Sequence, residues 1–274
     1  MLAAVGAPAY GATVHEAHKA PMQFTWVACE PNCRGWIGAV GIVTGDTPKN
    51  FDEFARGRDL DGATVVLDSN GGSVNDAITL GRRWRQIGLR TTVGSVTAMG
   101  ERAGVAPGAW CESMCVFLLL SGKVRYVPEE AHVRVHQIWM SDRAEDAKTS
   151  TYTARDMMIV ERDIGRLAKY AFDMGGTGDL LSLSLNVPPW DDLHEFSPQE
   201  LHRTGLVTTD AVADVLPERR VTDPAVASLK PNSKQDRIVS SSDEDKMPPA
   251  PKSTKAAQAG LPTSGVAAVA PATK

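Results

Sequence analysis

A short apolar strand that leads directly into a glycine turn and then a helix is the feature that most limits the fold of this 274-residue chain. Residues 64–68 (TVVLD) are rich in β-branched side chains, and Gly71 and Gly72 follow shortly after them. From Val74 to Ile87, apolar residues recur at helical spacing. This succession of strand, turn and helix is typical of an α/β domain with a mainly parallel sheet.

The same alternation continues along most of the chain. Ser197, Pro198 and Glu200 form the pattern of a capping box with proline in the first turn, so a further helix is expected to begin there. The remaining predicted strands are at residues 37–43, 91–94, 124–127 and 133–138, and the remaining predicted helices are at 113–120 and 154–174. Together these elements predict one folded α/β domain at residues 22–216.

The two ends of the chain differ in composition from this domain. Residues 1–12 are small and uncharged, and their last four, Ala9-Tyr10-Gly11-Ala12, resemble a signal-peptidase site. We interpret residues 1–21 as the remainder of a secretory signal that starts upstream, with an ordinary disordered N-terminus as the alternative. Residues 217–274 contain no aromatic side chain and are predicted to be a disordered tail, with partner binding as the alternative role.

Composition and missing motifs argue against several classes of function. The chain has 29 basic and 33 acidic residues and no long basic run, which argues against a general nucleic-acid binder. No apolar stretch approaches the roughly 18 residues of a transmembrane helix. There is no G-x-S-x-G, Walker A or G-x-G-x-x-G motif, and the sequence from His15 to His18 is one residue short of the zinc motif H-E-x-x-H. We therefore predict no metal and no cofactor.

Three features of the sequence together suggest a catalytic site. The Gly71-Gly72 turn lies between a strand and a helix, where backbone N–H groups can stabilise an anion. Ser113 opens a buried apolar helix, and His136 lies in a stretch with strand character. Each has a structural explanation of its own, as a tight turn, a helix cap and a buried polar side chain. Their order along the chain is what suggests an active site.

This order resembles that of the proteolytic subunit of the Clp protease and the wider ClpP/crotonase superfamily. The resemblance implies a ClpP/crotonase-like spiral fold of ββα units with a long handle helix. It is closest to uncharacterised secreted or periplasmic Clp-like proteins, in which cysteines flank the serine and a C-x3-C-x2-W-I segment lies upstream. The residues that carry it are 67–74 (LDSNGGSV), 113–122 (SMCVFLLLSG), Arg125, 135–137 (VHQ), 196–201 (FSPQEL) and 204–207 (TGLV), with the upstream segment at 29–37.

The resemblance also implies a role for each matching residue. Ser113 would be the nucleophile and His136 its general base. The backbone N–H groups of Gly72 and Met114 would form the oxyanion hole. The helix at residues 154–174 would be the handle that mediates contacts in a homo-oligomer.

The third member of the expected triad does not align. In register with Ser197, the family's catalytic aspartate falls on Leu193. Asp191 and Asp192 lie one or two residues earlier, so a short loop shift could bring one of them to His136. The alternatives are a Ser–His pair without an acid, or acidic residues that are only solvated loop charges.

These roles imply an ATP-independent serine hydrolase outside the cytoplasm, periplasmic or secreted, that acts on a peptide or protein substrate. Two alternatives stay open. One is a catalytically inactive scaffold or binding module on the same fold, since a fold alone does not establish a function. The other is a crotonase-type enzyme that acts on acyl-CoA thioesters, which explains the glycine turn but not the order of Ser113 and His136.

Four cysteines form two pairs of equal spacing, Cys29/Cys33 and Cys111/Cys115. In an oxidising compartment they are expected to form disulfides, within each pair or between the pairs. A zinc site is the rival interpretation, although zinc knuckles usually have C-x2-C spacing. A bond between Cys111 and Cys115 would need a non-helical first turn around Ser113. The oxidation state of these residues is therefore predicted to affect how Ser113 is oriented.

Overall fold

Ten strands are present in the computed structural model, which describes residues 18–27, 35–99, 102–140 and 147–216. Their bounds place the predicted strand at 64–68 where it was expected, whereas the predicted strand at 133–138 ends three residues early. They are β1 (Gln23–Val27), β2 (Trp36–Val40), β3 (Thr64–Asp68), β4 (Arg90–Val93), β5 (Ser95–Met99), β6 (Arg102–Ala106), β7 (Trp110–Glu112), β8 (Arg125–Tyr126), β9 (His132–Val135) and β10 (His194–Glu195).

The helices include all those that the sequence predicts. The predicted capping box is present, because the Ser197 side chain accepts from the Glu200 amide and Glu200 accepts from the Ser197 amide. The helices are α1 (Thr47–Ala55), α2 (Val74–Ile87), α3 (Met114–Leu120), α4 (Ala154–Asp173), α5 (Gly178–Leu185) and α6 (Pro198–Arg203), followed by a short 3-10 turn at Val212–Asp214.

The central sheet has five strands in the order β1-β2-β3-β4-β8. β1 lies antiparallel to β2, and the other three neighbouring pairs are parallel. A helix connects each parallel pair: α1 between β2 and β3, α2 between β3 and β4, and α3 between β4 and β8. Parallel strands require such crossovers, so the predicted α/β class with a mainly parallel sheet is confirmed.

Two smaller sheets accompany the central one. β7 pairs in parallel with β9, which pairs antiparallel with β10. β5 and β6 form an antiparallel hairpin that the sequence did not predict. The three-stranded sheet positions the candidate site, because β7 ends immediately before Ser113 and β9 ends immediately before His136.

The core lies between the central sheet and the helices. Every side chain of α3 is buried, and β3 is buried along its whole length. Trp84 of α2 is fully buried and packs edge-on against Phe24 and Phe51. Burial of side chains of this size supplies much of the hydrophobic stabilisation of a domain, at about 25 cal/mol for each Å² of apolar surface.

The ordered packing starts before the predicted domain boundary at residue 22. His18 is buried, and its Nε2 lies 2.8 Å from the Oδ1 of Asp68 at the end of β3. The rest of the predicted N-terminal segment, Cys29, Cys33 and the predicted tail at 217–274 lie outside the described residues. Within the described ranges, no helix is long and apolar enough to span a bilayer.

Candidate active site

The turn after β3 packs directly against the segment that carries Ser113. Gly71 and Gly72 both have positive φ angles, 88° and 128°, which a residue with a side chain adopts at a cost. A Cβ on Gly71 would lie 2.7 Å from the Met114 nitrogen, and one on Gly72 would lie 2.2 Å from the Val43 oxygen. Only glycine fits at either position, which explains the pair in the sequence.

Ser69 holds this turn against β7. Its amide donates to the Trp110 oxygen at 2.8 Å, and its own carbonyl accepts from the Glu112 amide at 2.9 Å. Its hydroxyl donates to the Gly41 oxygen at 2.6 Å and accepts from the Gly71 amide at 3.1 Å. The glycine turn and the residue before Ser113 are therefore fixed relative to one another by backbone hydrogen bonds.

Ser113 has an unusual backbone conformation. Its φ of 54° and ψ of −121° make it the one non-glycine residue with positive φ in the described ranges. Its amide donates to the Arg134 oxygen at 2.9 Å, which connects it to β9. Strained residues of this kind occur preferentially at functional sites, and a sharp turn from strand to helix is how many hydrolases present a nucleophile.

The predicted oxyanion donors are available for a ligand. Neither the Gly72 amide nor the Met114 amide donates a hydrogen bond to any residue that the structure describes. Both residues line the cavity that also contains Ser113. Backbone N–H groups without a protein partner at a cavity wall suit an oxyanion that develops during acyl transfer.

His136 faces the same cavity, which has a volume of about 630 Å³. The residue follows β9 directly, and the next residue, Gln137, donates its amide to the Val187 oxygen at 2.9 Å. In the described ranges the imidazole forms no hydrogen bond with Ser113. Hydrogen bonds between catalytic groups are often long before substrate binds, so this geometry is compatible with a general base.

The structure does not bring a predicted acid to His136. The side chains of Asp191 and Asp192 are exposed and form no ion pair or hydrogen bond with any described residue. Glu195 instead accepts from Arg134 at 2.9 Å and lies 2.6 Å from the Nδ1 of His132. A catalytic role for Asp191 or Asp192 stays a prediction that needs the loop to move.

Asp163 of α4 is an acid in the cavity that sequence reasoning missed. It is 9% exposed and lines the cavity wall. The sequence contained a signal for it, because Asp163 falls on the same helical face as the buried residues Val160, Leu167 and Tyr170. An acidic residue in the apolar stripe of an amphipathic helix is a candidate site residue.

A disulfide joins Cys111 to Cys115, with their Cα atoms 5.1 Å apart. Cys111 lies in β7 and Cys115 in the first turn of α3, so Ser113 is the centre of a closed five-residue loop. This bond satisfies the predicted condition of a non-helical first turn. It also removes two alternatives, since these sulfurs are neither paired with Cys29 or Cys33 nor free to bind zinc.

The environment of His136 predicts the pH dependence of the site. Desolvation by burial lowers the pKa of its imidazole, since burial disfavours the charged ring, while a backbone contact with Gln137 opposes this. A general base acts in its neutral form. The reactivity of Ser113 is therefore expected to fall as the pH is lowered, with a midpoint below pH 6.5, which is about the ordinary pKa of histidine. The measurement is the rate of labelling by a fluorophosphonate as a function of pH. A midpoint above 7 would contradict this environment.

Comparison with known proteins does not assign the site. No protein-family model matches the chain, and no curated protein matches it. The function of the site must therefore be inferred from its residues and their geometry.

Proposed function

We propose that this protein is a serine hydrolase that cleaves peptide or protein substrates, with Ser113 as nucleophile and His136 as general base. The observation that carries the proposal is the strained Ser113 turn, which shares one cavity with His136 and with two unused backbone N–H groups. A structural turn needs neither a half-buried histidine opposite it nor amides without partners.

In the proposed reaction, the Ser113 Oγ attacks the substrate carbonyl carbon while His136 accepts the hydroxyl proton. The N–H groups of Gly72 and Met114 stabilise the oxyanion of the tetrahedral intermediate. His136 then gives the proton to the leaving amine as the C–N bond breaks, which leaves an acyl ester on Ser113. Water, deprotonated by His136, hydrolyses this ester and regenerates the serine.

We also propose a ClpP-like spiral fold, assembly into a homo-oligomer and a location outside the cytoplasm. The parallel sheet with its helical crossovers and the long helix α4 support the fold and the handle role. The Cys111–Cys115 bond supports an oxidising compartment, because disulfides seldom persist in the cytosol. Action without ATP follows from that location.

A non-catalytic binding module is the second candidate function. It is favoured by one observation: within the described residues, the His136 side chain forms no hydrogen bond with the Ser113 hydroxyl and no ion pair with a carboxylate. In that case the cavity would bind a ligand and release it unchanged.

Covalent labelling separates the two functions. The full chain is treated with a fluorophosphonate, and the modified residue is located by peptide mass mapping. We expect a single adduct on Ser113, with an untreated and a heat-denatured sample as controls. Absence of an adduct on the folded protein, or an adduct on another serine, would contradict the hydrolase assignment.

A further inference from the structure

A groove between α2 and α4 carries a concentration of positive charge. Its volume is about 490 Å³, and four basic side chains line it: Arg82, Arg162, Arg166 and Lys169. Between 46% and 72% of each of these side chains is exposed. The chain as a whole has a net charge of −4, so this basic groove has the opposite sign to the average surface.

Two carboxylates neutralise only part of this charge. Asp163 lies 3.0 Å from Arg162 and 3.5 Å from Arg166. Asp173 lies 3.1 Å from Arg82 and 2.9 Å from Lys169. Each carboxylate is thus shared by two cations, which leaves an excess of two positive charges among these six groups. The pKa of Asp173 is lowered, chiefly by the hydrogen bond from Lys169, so it stays ionised.

The basic groove adjoins the active cavity at one residue. Asn75 lines both, and its side chain connects them: its Nδ2 donates to Asp163 at 3.4 Å and its Oδ1 accepts from Arg166 at 2.9 Å. A polypeptide bound at Ser113 would meet the basic groove if it leaves the cavity past Asn75.

We propose that the basic groove binds an acidic segment of the polypeptide substrate, whose scissile bond lies at Ser113. Arginine matches carboxylates with paired N–H groups, and arginines that share one carboxylate retain donors for a second. The proposal rests on the proposed function for the position of the scissile bond. Acidic peptide is favoured over nucleic acid because the adjoining cavity is lined mainly by apolar residues, which suit amino-acid side chains better than a phosphate backbone.

The test measures binding rather than turnover, so it does not depend on catalysis. Ser113→Ala protein is titrated against two fluorescein-labelled peptides of equal length. Both have the same apolar centre, flanked by glutamates in one and by glutamines in the other. By fluorescence anisotropy at about 50 mM salt, we expect the acidic peptide to bind roughly tenfold more tightly, and this advantage to shrink at about 0.5 M salt because exposed charges are screened.

Three variants locate the effect. Arg166→Gln/Lys169→Gln is expected to remove most of the preference for the acidic peptide. Asp173→Asn, which frees Arg82 and Lys169, is expected to increase it. Arg56→Gln removes an exposed charge from a separate groove between α1 and α2 and is expected to change nothing.

Four results would overturn the proposal: equal affinity for the two peptides, an equal loss in Arg56→Gln, tighter binding of single-stranded DNA than of the acidic peptide, or groove variants that alter the oligomeric state instead of peptide affinity. If the acidic peptide binds as expected but fluorophosphonate does not label Ser113, the basic groove is supported as a peptide-binding site and only the hydrolase assignment is wrong.

Discussion

Replacing His136 with alanine is expected to slow the modification of Ser113 by a fluorophosphonate roughly 10³-fold, which is the usual contribution of a general base. Without the imidazole, the serine hydroxyl must lose its proton to water. The substitution removes the backbone hydrogen bond of the ring at Gln137 but no ion pair with a described side chain, so the melting temperature is expected to fall by only a few degrees. The measurement is the second-order rate constant of labelling.

His202→Ala is the matched control for this experiment. His202 is also a histidine with a polar neighbour, 3.1 Å from Asp210, but it lies on the exposed end of α6. Its loss is expected to leave the labelling rate unchanged. An unchanged rate in His136→Ala would show that the imidazole does not activate Ser113, and the proposed mechanism would then be wrong.

The labelling rates of Asp191→Asn and Asp192→Asn test whether Ser113 and His136 act together with a third catalytic residue. A loss of roughly 10²-fold in one of them would establish the predicted acid, because an orienting carboxylate stabilises the imidazolium that forms in the reaction. Rates within about twofold of the parent protein would establish a Ser–His pair. The exposed positions of both side chains mean that any contact with His136 requires the loop after α5 to close.

The parts of the fold that depend on local pattern could be predicted from the sequence. β3 and α2 have the predicted bounds, because a β-branched run and a helical apolar stripe are separated by an unambiguous glycine turn. α4 was predicted to within one residue, and a capping box at Thr153 and Asp156 fixes its start. The bounds of these elements are determined by interactions between residues that are close in the sequence.

The parts that depend on distant contacts could not be predicted. The strands β5 and β6 mix small, polar and β-branched residues without a clear alternation, and their pairing with one another is what defines them. The predicted strand at 37–43 ends at Val40, because Gly41 takes a φ of 112° and its Cβ position lies against the Ala20 oxygen. No periodicity in the sequence encodes either feature.

Some residues of the candidate site could likewise be predicted from the sequence, and others could not. Ser113, His136, Gly72 and Met114 meet at one cavity, as their order along the chain suggested. The acids could not be placed, since the conformation of the loop after Pro188 and Pro189 is set by packing rather than by propensity. Asp163 was overlooked because a charged residue on a helix is ordinarily assigned to the solvent face.

The second large effect is expected from removing the disulfide around Ser113. In Cys111→Ala/Cys115→Ala, the labelling rate of Ser113 is expected to fall at least about tenfold, because the positive φ of a non-glycine residue costs roughly 1–2 kcal/mol and the tether that maintains it is gone. Relaxation to a negative φ would change the direction of the Ser113 side chain. For so short a loop, the accompanying loss in the free energy of unfolding is about 2 kcal/mol.

Stability and orientation can be separated in this experiment. Labelling is measured well below the melting temperature of the variant, so that a lower free energy of unfolding does not populate unfolded chains. Cys29→Ala/Cys33→Ala serves as the matched control, since it also removes two cysteines from the chain but leaves the bond between Cys111 and Cys115. A slower rate in both variants would indicate a general effect of cysteine removal. A normal rate in Cys111→Ala/Cys115→Ala would show that Gly71, packed against Ser113 from the other side, is sufficient to hold the turn.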